Sequence, residues 1–137
     1  MARIVSEPKT LQRGEIYIEE GWELVQDGPE CHSFNLYPIG FLLPDEEYIW
    51  LKELCERAIA FGAYAGQSTA EWLFDNQDII PVKWRGFNLV FPATLWRDLK
   101  GSLRIPYLTW TGERWDMMFY WGDQKFNSLD RIMHSYD

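Results

Sequence analysis

The alternation of apolar and polar positions divides the chain into strand-like ends and a helical middle. Gly14 to Glu19 and Trp22 to Val25 flank Glu20 and Gly21, and Ile16, Ile18, Trp22 and Leu24 recur with the period of two of half-buried strands. This predicts an N-terminal hairpin, closed by a turn at Asp27, Gly28 and Pro29. Phe34 to Leu43 is apolar too, but Pro38 has no N–H and Gly40 no side chain, which predicts an edge strand or an extended segment.

A helix is predicted next. Pro44, Asp45, Glu46 and Glu47 place a capping side chain and negative charge at its start, and Gly62 is its expected stop. Tyr48, Leu51, Cys55, Ala58 and Ile59 recur at spacings of three and four, with Leu54 and Phe61 widening the stripe, so one face is expected to pack on a sheet. Ser68 and Glu71 have capping-box spacing, which predicts a second, shorter helix to about Phe74 with Trp72 and Leu73 available for burial; Asn76 to Pro81 is expected to be loop.

From Val82 the period returns to two. Gly86 to Phe91, Leu103 to Trp110 and Trp115 to Trp121 are separated by turn-like pieces at Asp98 to Ser102 and Thr111 to Arg114. The simplest reading is an antiparallel three-stranded meander, with Pro92 to Arg97 either extending the first strand or forming a short helical turn. In the last strand Trp115, Met117, Phe119 and Trp121 share one face and Met118 and Tyr120 the other. A sheet apolar on both faces needs cover on both, from the hairpin, a ligand or a second copy of the chain. The expected fold is α+β over residues 1–137 as a single domain: a mainly antiparallel sheet with one long and one short helix packed on it.

Composition sharpens this picture. The 137 residues include eight Trp, seven Tyr and eight Phe, and each ring has roughly 150–250 Å² to bury. A domain of this length leaves roughly a third of its unfolded surface in water, so some rings are expected outside, where clustered rings mark binding faces. No stretch approaches the ~20 apolar residues of a membrane-spanning helix, and no apolar run follows the first charged residues. The expected compartment is therefore the cytoplasm, with Cys31 and Cys55 reduced. The net charge of −8 is polarised: residues 1–62 hold 12 acids and 5 bases, residues 63–137 hold 9 acids and 8 bases. Acidic density of this kind attracts basic partners and repels nucleic acid.

Candidate chemistry is sparse. Cys31, His32, Cys55 and His134 lack the close pairs of a structural zinc site, so no metal and no cofactor is expected. Cys55 stands among Glu53, Glu56 and Arg57, surroundings that raise a thiol pKa and suit packing better than nucleophilic attack. Gly62 to Ser68, ahead of a helix start, offers N–H groups to an anion or simply connects two helices. No catalytic residue is assigned.

Two sets of residues are candidates for partner binding. The acidic set is Glu19, Glu20, Glu23, Asp45, Glu46, Glu47, Glu53 and Glu56. The aromatic and basic set is Trp84, Trp96, Arg97, Trp110, Arg114, Trp115 and Trp121, where rings interleave with cations. The leading expectation is a non-enzymatic macromolecule-binding protein of inhibitor or immunity type, docking on a protein partner through acids and aromatic anchors. Single-stranded nucleic-acid binding through a Trp/Arg-rich sheet face is the second reading, disfavoured by net charge. The third is a small hydrolase or carbohydrate-active domain, which requires a groove lined by rings and converging carboxylates, such as those among Glu71, Asp75 and Asp78 or Asp116, Asp123 and Asp130.

Overall fold

In chain order the computed structural model, which describes residues 9–10, 17–18, 21–28, 35–62, 65–121 and 123–135, runs β1 (Lys9–Thr10), β2 (Tyr17–Ile18), β3 (Glu23–Gln26), β4 (Leu36–Ile39), β5 (Tyr48–Ile49), α1 (Leu51–Phe61), α2 (Gln67–Asp75), β6 (Asn88–Val90), β7 (Leu95–Arg97), β8 (Leu103–Trp110), β9 (Trp115–Trp121), β10 (Phe126–Asn127) and β11 (Asp130–Ser135). Two short 3₁₀ turns, Gln77–Ile79 and Val82–Trp84, link α2 to β6.

β8 is the spine of the main sheet. β9 pairs with it antiparallel from Arg104 opposite Trp121 to Trp110 opposite Trp115. The other edge of β8 is shared by β6, opposite Tyr107 and Leu108, and β7, opposite Leu103 and Arg104. β6 and β7 are therefore one line of strand interrupted in the middle. Phe91 N–H still donates to Pro106 C=O at 3.0 Å, then Pro92, Ala93 and Thr94 loop out before Leu95 resumes the ladder. At this break the sheet forks: β6 carries β11 and then β4, while β7 carries β3.

The β6/β11 pair is parallel and β11/β4 antiparallel, so the sheet is mixed where the alternation predicts a mainly antiparallel one. The predicted hairpin partners also differ. β2 pairs with β1, and β3 pairs across some seventy positions of sequence with β7. Trp22 and Leu24 join Ile18 and the buried Trp96 in one cluster, and that packing selects the distant partner. β11 was not legible as a strand, because Asp130 and Arg131 open it and His134 interrupts its apolar run.

The helices lie on opposite faces. Leu89, Leu108, Met117 and Met133 pack with Ala70, Leu73 and Phe74 of α2. Val90, Ile105, Tyr120 and Ile132 pack with Leu51, Leu54 and Ala58 of α1. Both faces of β9 are thus covered in part from within the chain, with Met118 and Trp121 left exposed, and each fully buried aliphatic side chain contributes roughly 1.5–3 kcal/mol. At the ends of β9, glutamine side chains replace a neighbouring strand. The Gln77 amide donates to Trp115 C=O at 2.9 Å and accepts from Trp115 N–H at 2.8 Å, and Gln124 Oε1 accepts from Trp121 N–H at 2.7 Å.

α1 begins at Leu51, beyond the start predicted at Pro44 to Glu47, because Tyr48 and Ile49 are taken into an antiparallel ladder with Phe126 and Asn127. It ends as expected at Gly62, whose φ of 70° is the left-handed value that glycine adopts at no steric cost. α2 starts at Gln67 with no cap from its own segment: Gln67 N–H donates to Thr94 Oγ1 at 2.8 Å, so the looped-out residues between β6 and β7 cap the helix from across the fold. Ser68 and Glu71 do not form the predicted box; the Glu71 carboxylate is buried and accepts from Gln67 Nε2 at 3.0 Å. Among the described residues no helix is long and apolar enough to cross a membrane.

Candidate functional site

The short β5/β10 ladder sets the geometry of one pair of exposed aromatic rings. Ile49 is opposite Phe126 and Tyr48 opposite Asn127. Ile49 and Phe126 point into the core beneath α1. By the alternation of a strand Tyr48 and Trp50 then point outward, and both rings are exposed, Trp50 at 42%. Their centroids are 5.4 Å apart at 81°, making a corner of two perpendicular walls.

α1 also leaves apolar side chains exposed. Its buried stripe is Leu51, Leu54 and Ala58, narrower than predicted. At 100° per residue Ile59 and Phe61 fall on opposite flanks of that stripe, and Ile59 shares its flank with Lys52 and Glu56. Ile59 is 79% exposed and Phe61 and Leu43 are exposed as well, so the expectation that Tyr48, Ile59 and Phe61 pack on the sheet is corrected. A helix starting within Pro44 to Glu47 would bring Tyr48 into the same stripe, whereas the observed one starts after it.

The acids divide into structural and outward-facing groups. Glu46 takes the Arg57 guanidinium with both oxygens, Arg57 Nη2 donating to Oε2 at 2.8 Å, and accepts from Leu43 N–H at 2.8 Å. Arg57 Nη1 also donates to Phe41 C=O at 2.9 Å, so this pair fastens the turn before β5 to α1. Glu53 accepts from Trp50 N–H at 3.4 Å, at the start of the helix. Asp45, Glu47 and Glu56 are exposed. Glu23 is on the other branch of the sheet, 3.9 Å from Arg97, and Glu19 and Glu20 lie outside the described residues. Five of the eight acidic candidates lie within residues 45–56 of the sequence, and three of those five face solvent.

The hydrogen bond from Arg57 holds the Glu46 carboxyl down at about 2 from its ordinary 4.5. A depressed folded value stabilises the fold above the unfolded pKa, and that contribution is lost as pH falls through the folded one. The stability difference between the wild type and Glu46→Gln is therefore expected to be constant above about pH 5 and to shrink steadily toward about pH 2. Urea unfolding at each pH measures it, and a gap independent of pH would refute the assignment.

The aromatic and basic set does not form one platform. Trp96 and Trp115 are each 1% exposed and present no ring to a surface partner, a correction to their candidacy. Trp84 and Trp110 are half-buried, and the Arg85 guanidinium covers Trp110 at 3.8 Å. Trp121 is exposed, with Arg104 at 3.7 Å from its centroid. Arg104 is itself held by buried Asp98 at 3.0 Å, and Arg114 lies 3.1 Å from Asp116 and over Phe74. Burial alone would raise the Asp98 carboxyl, but hydrogen bonds from Arg104, Ser102 and Lys100 outweigh it and keep it below the ordinary aspartate value. These cations are engaged with rings and carboxylates of the chain itself.

Among the described residues no three His, Cys, Asp or Glu side chains converge; Cys31 and His32 lie outside those residues. Burial, reinforced by the charge of Glu56, pushes the Cys55 thiol up to about 11, so it is protonated at neutral pH. The buried Asp130 accepts from Tyr120 Oη at 2.6 Å and from Asn127 N–H at 2.9 Å, which ties β11 to β9. A cavity of about 190 Å³ beside it, between Gly40, Phe41 and Arg131, has a single aromatic ring and a single carboxylate in its wall. Ligand pockets are commonly about 300–1,000 Å³. At the start of α2 the Gln67 N–H is already taken by Thr94 Oγ1 at 2.8 Å.

Tyr48, Leu43, Ile59 and Lys125 are exposed too, though none is among the partner-binding candidates of the sequence. The available signal was the position of Tyr48 and Trp50 on either side of Ile49, an alternation of two just ahead of a helix. Compared with protein-family models, with curated proteins and with solved structures, the chain matches none of them.

Proposed function

We propose that the chain is a non-enzymatic protein-binding module, of inhibitor or immunity type, that docks a basic partner surface on the face formed by residues 43–61. The observation that carries the reading is the exposure, within one segment, of Leu43, Tyr48, Trp50 and Ile59 among Asp45, Glu47 and Glu56. Exposed apolar side chains beside acids supply both parts of a protein interface: anchors that leave water on contact, and a field that steers a cationic partner and weakens as salt rises.

The test is capture of the partner from the native cell by the wild type, by an Ile59→Ser/Trp50→Ala variant and by Trp121→Ala. Loss of two anchors is expected to weaken retention about tenfold or more, with Trp121→Ala unchanged and retention falling between low and high salt. Retention of nucleic acid in place of protein, or equal loss in both variants, would overturn the reading.

A further inference from the structure

The Tyr48/Trp50 corner is occupied. Lys125 immediately precedes β10, and the β5/β10 register brings it beside Trp50 on the outward side of the ladder. Its Nζ is 4.5 Å from the Tyr48 centroid and 5.9 Å from that of Trp50. An ammonium within about 6 Å of a ring is attracted by the negative face of the π system, and here it meets two rings at once. The corner therefore shows which chemistry it holds: a compact primary ammonium on an aliphatic stem. Two walls at 81° suit such a point charge better than a flat guanidinium, which stacks parallel to one ring.

The surroundings favour cations. Asp45 and Glu47 precede Tyr48 and are exposed, and the Glu53 carboxylate at Trp50 N–H offsets the positive end of α1. The internal occupant is weakly held. Lys125 is exposed, forms no ion pair among the described residues, and regains the freedom of a four-carbon stem when it leaves. Exchanging it for an equivalent ammonium conserves the interaction with the rings, so additional contacts made by a partner decide the exchange.

We propose that the Tyr48/Trp50 corner is a receptor for a lysine side chain of the protein partner, and that Lys125 is its displaceable internal occupant. This rests on the reading of residues 43–61 as the docking face and names the partner residue that anchors there. In the free protein Lys125 sits against the two rings, which stay partly exposed, and lowers the apparent affinity for lysine by competing for the same corner.

The probe is an acetylated, amidated hexapeptide with one lysine between leucines, titrated against the full chain by tryptophan fluorescence, with norleucine and arginine versions as comparisons. The lysine peptide is expected to bind about two- to fivefold more tightly than either comparison. Lys125→Ala is expected to tighten it further by about the same factor, because the competitor is gone. Trp50→Leu and Tyr48→Leu, each checked for unchanged thermal unfolding, are expected to remove the preference for lysine. Equal binding of lysine and norleucine peptides, or weaker binding by Lys125→Ala, would overturn the proposal and leave Lys125 as a strap on the ladder. The docking face is tested separately by Ile59→Ser and Glu56→Gln: if these weaken capture of the partner while the Lys125 and Trp50 variants leave lysine preference unchanged, the face stands and the corner falls. If lysine preference follows the corner variants while Ile59→Ser leaves capture intact, the corner acts alone and the wider face falls.

Discussion

Replacing Trp96 by alanine is expected to cost about 3–5 kcal/mol in transfer and cavity terms, with a further roughly 1–3 kcal/mol for the buried acceptor left unpaired. Trp96 is almost fully enclosed, packed with Ile18 and Trp22 on one side and tied to α2 on the other. Its indole N–H donates to Gln67 Oε1 at 2.6 Å, and Gln67 in turn donates to Glu71 at 3.0 Å. One side chain therefore joins β7, the N-terminal cluster and the start of α2. Total stabilities of about 5–15 kcal/mol leave little margin for such a loss. Trp96→Phe separates the parts, since it retains most of the apolar volume while orphaning Gln67 Oε1, at an expected cost of about 1–3 kcal/mol. Urea unfolding of both variants measures them. A loss below about 1 kcal/mol in Trp96→Ala would mean that this junction is not a pillar of the fold.

Gly66→Ala is the second large effect expected. The backbone at Gly66 is extended, with φ of −127°, so conformation is no obstacle to a side chain. Space is the obstacle. A Cβ there would stand 2.5 Å from Thr94 Oγ1 and 3.3 Å from the Gly28 backbone. That hydroxyl is the pivot of the fork: it accepts from Gln67 N–H at 2.8 Å and donates to Asp27 Oδ1 at 3.0 Å, while Ala93 N–H donates to Ala65 C=O at 3.1 Å alongside. Crowding is expected to cost about 1–3 kcal/mol and loss of the helix cap about 0.5–2 kcal/mol more. Thr94→Val removes the cap without the crowding and is expected to lose only the smaller amount, whereas Thr94→Ser keeps the hydroxyl and much of the stability. Thermal unfolding of the three variants orders them, and a neutral Gly66→Ala would show that α2 does not depend on the looped-out residues.

The same junction bears on the proposed docking face. α2 and the fork hold one face of the sheet, α1 the other, and the β5/β10 ladder with the Glu46 and Arg57 pair locks the outer segment to α1. The exposed rings at Tyr48 and Trp50 are therefore presented by a fixed scaffold, with Ile49 and Phe126 anchored below them. A preformed surface loses less conformational entropy on binding than one that must order itself.

Local order was readable along much of the chain. The bounds of β8 and β9, Leu103 to Trp110 and Trp115 to Trp121, coincide with the alternation of period two, and the turn between them carries Gly112 at a φ of 107°. The end of α1 at Gly62 was visible for the same kind of reason: a glycine supplies the left-handed value that other residues avoid. Each of these features depends on residues within a few positions of one another. The surplus of aromatic area was legible too, and Trp50, Trp121, Tyr37, Tyr48 and Phe61 are indeed exposed among the described rings.

Partnership was not readable. Periodicity states which way a side chain faces but carries no information on which strand lies beside it, so β3 finds β7 and β6 finds β11 through packing around Trp96 and Ile132, far away in sequence. The same limit governed the candidate site. Trp96 and Trp115 read like any other ring beside an arginine, yet the fork and α2 enclose them, while Tyr48 escapes the core because a two-residue ladder with Phe126 and Asn127 delays the helix. Composition and spacing settle how much apolar area there is and which local shapes it takes; which of it reaches water follows from contacts between distant segments, whose energies no short window of residues contains.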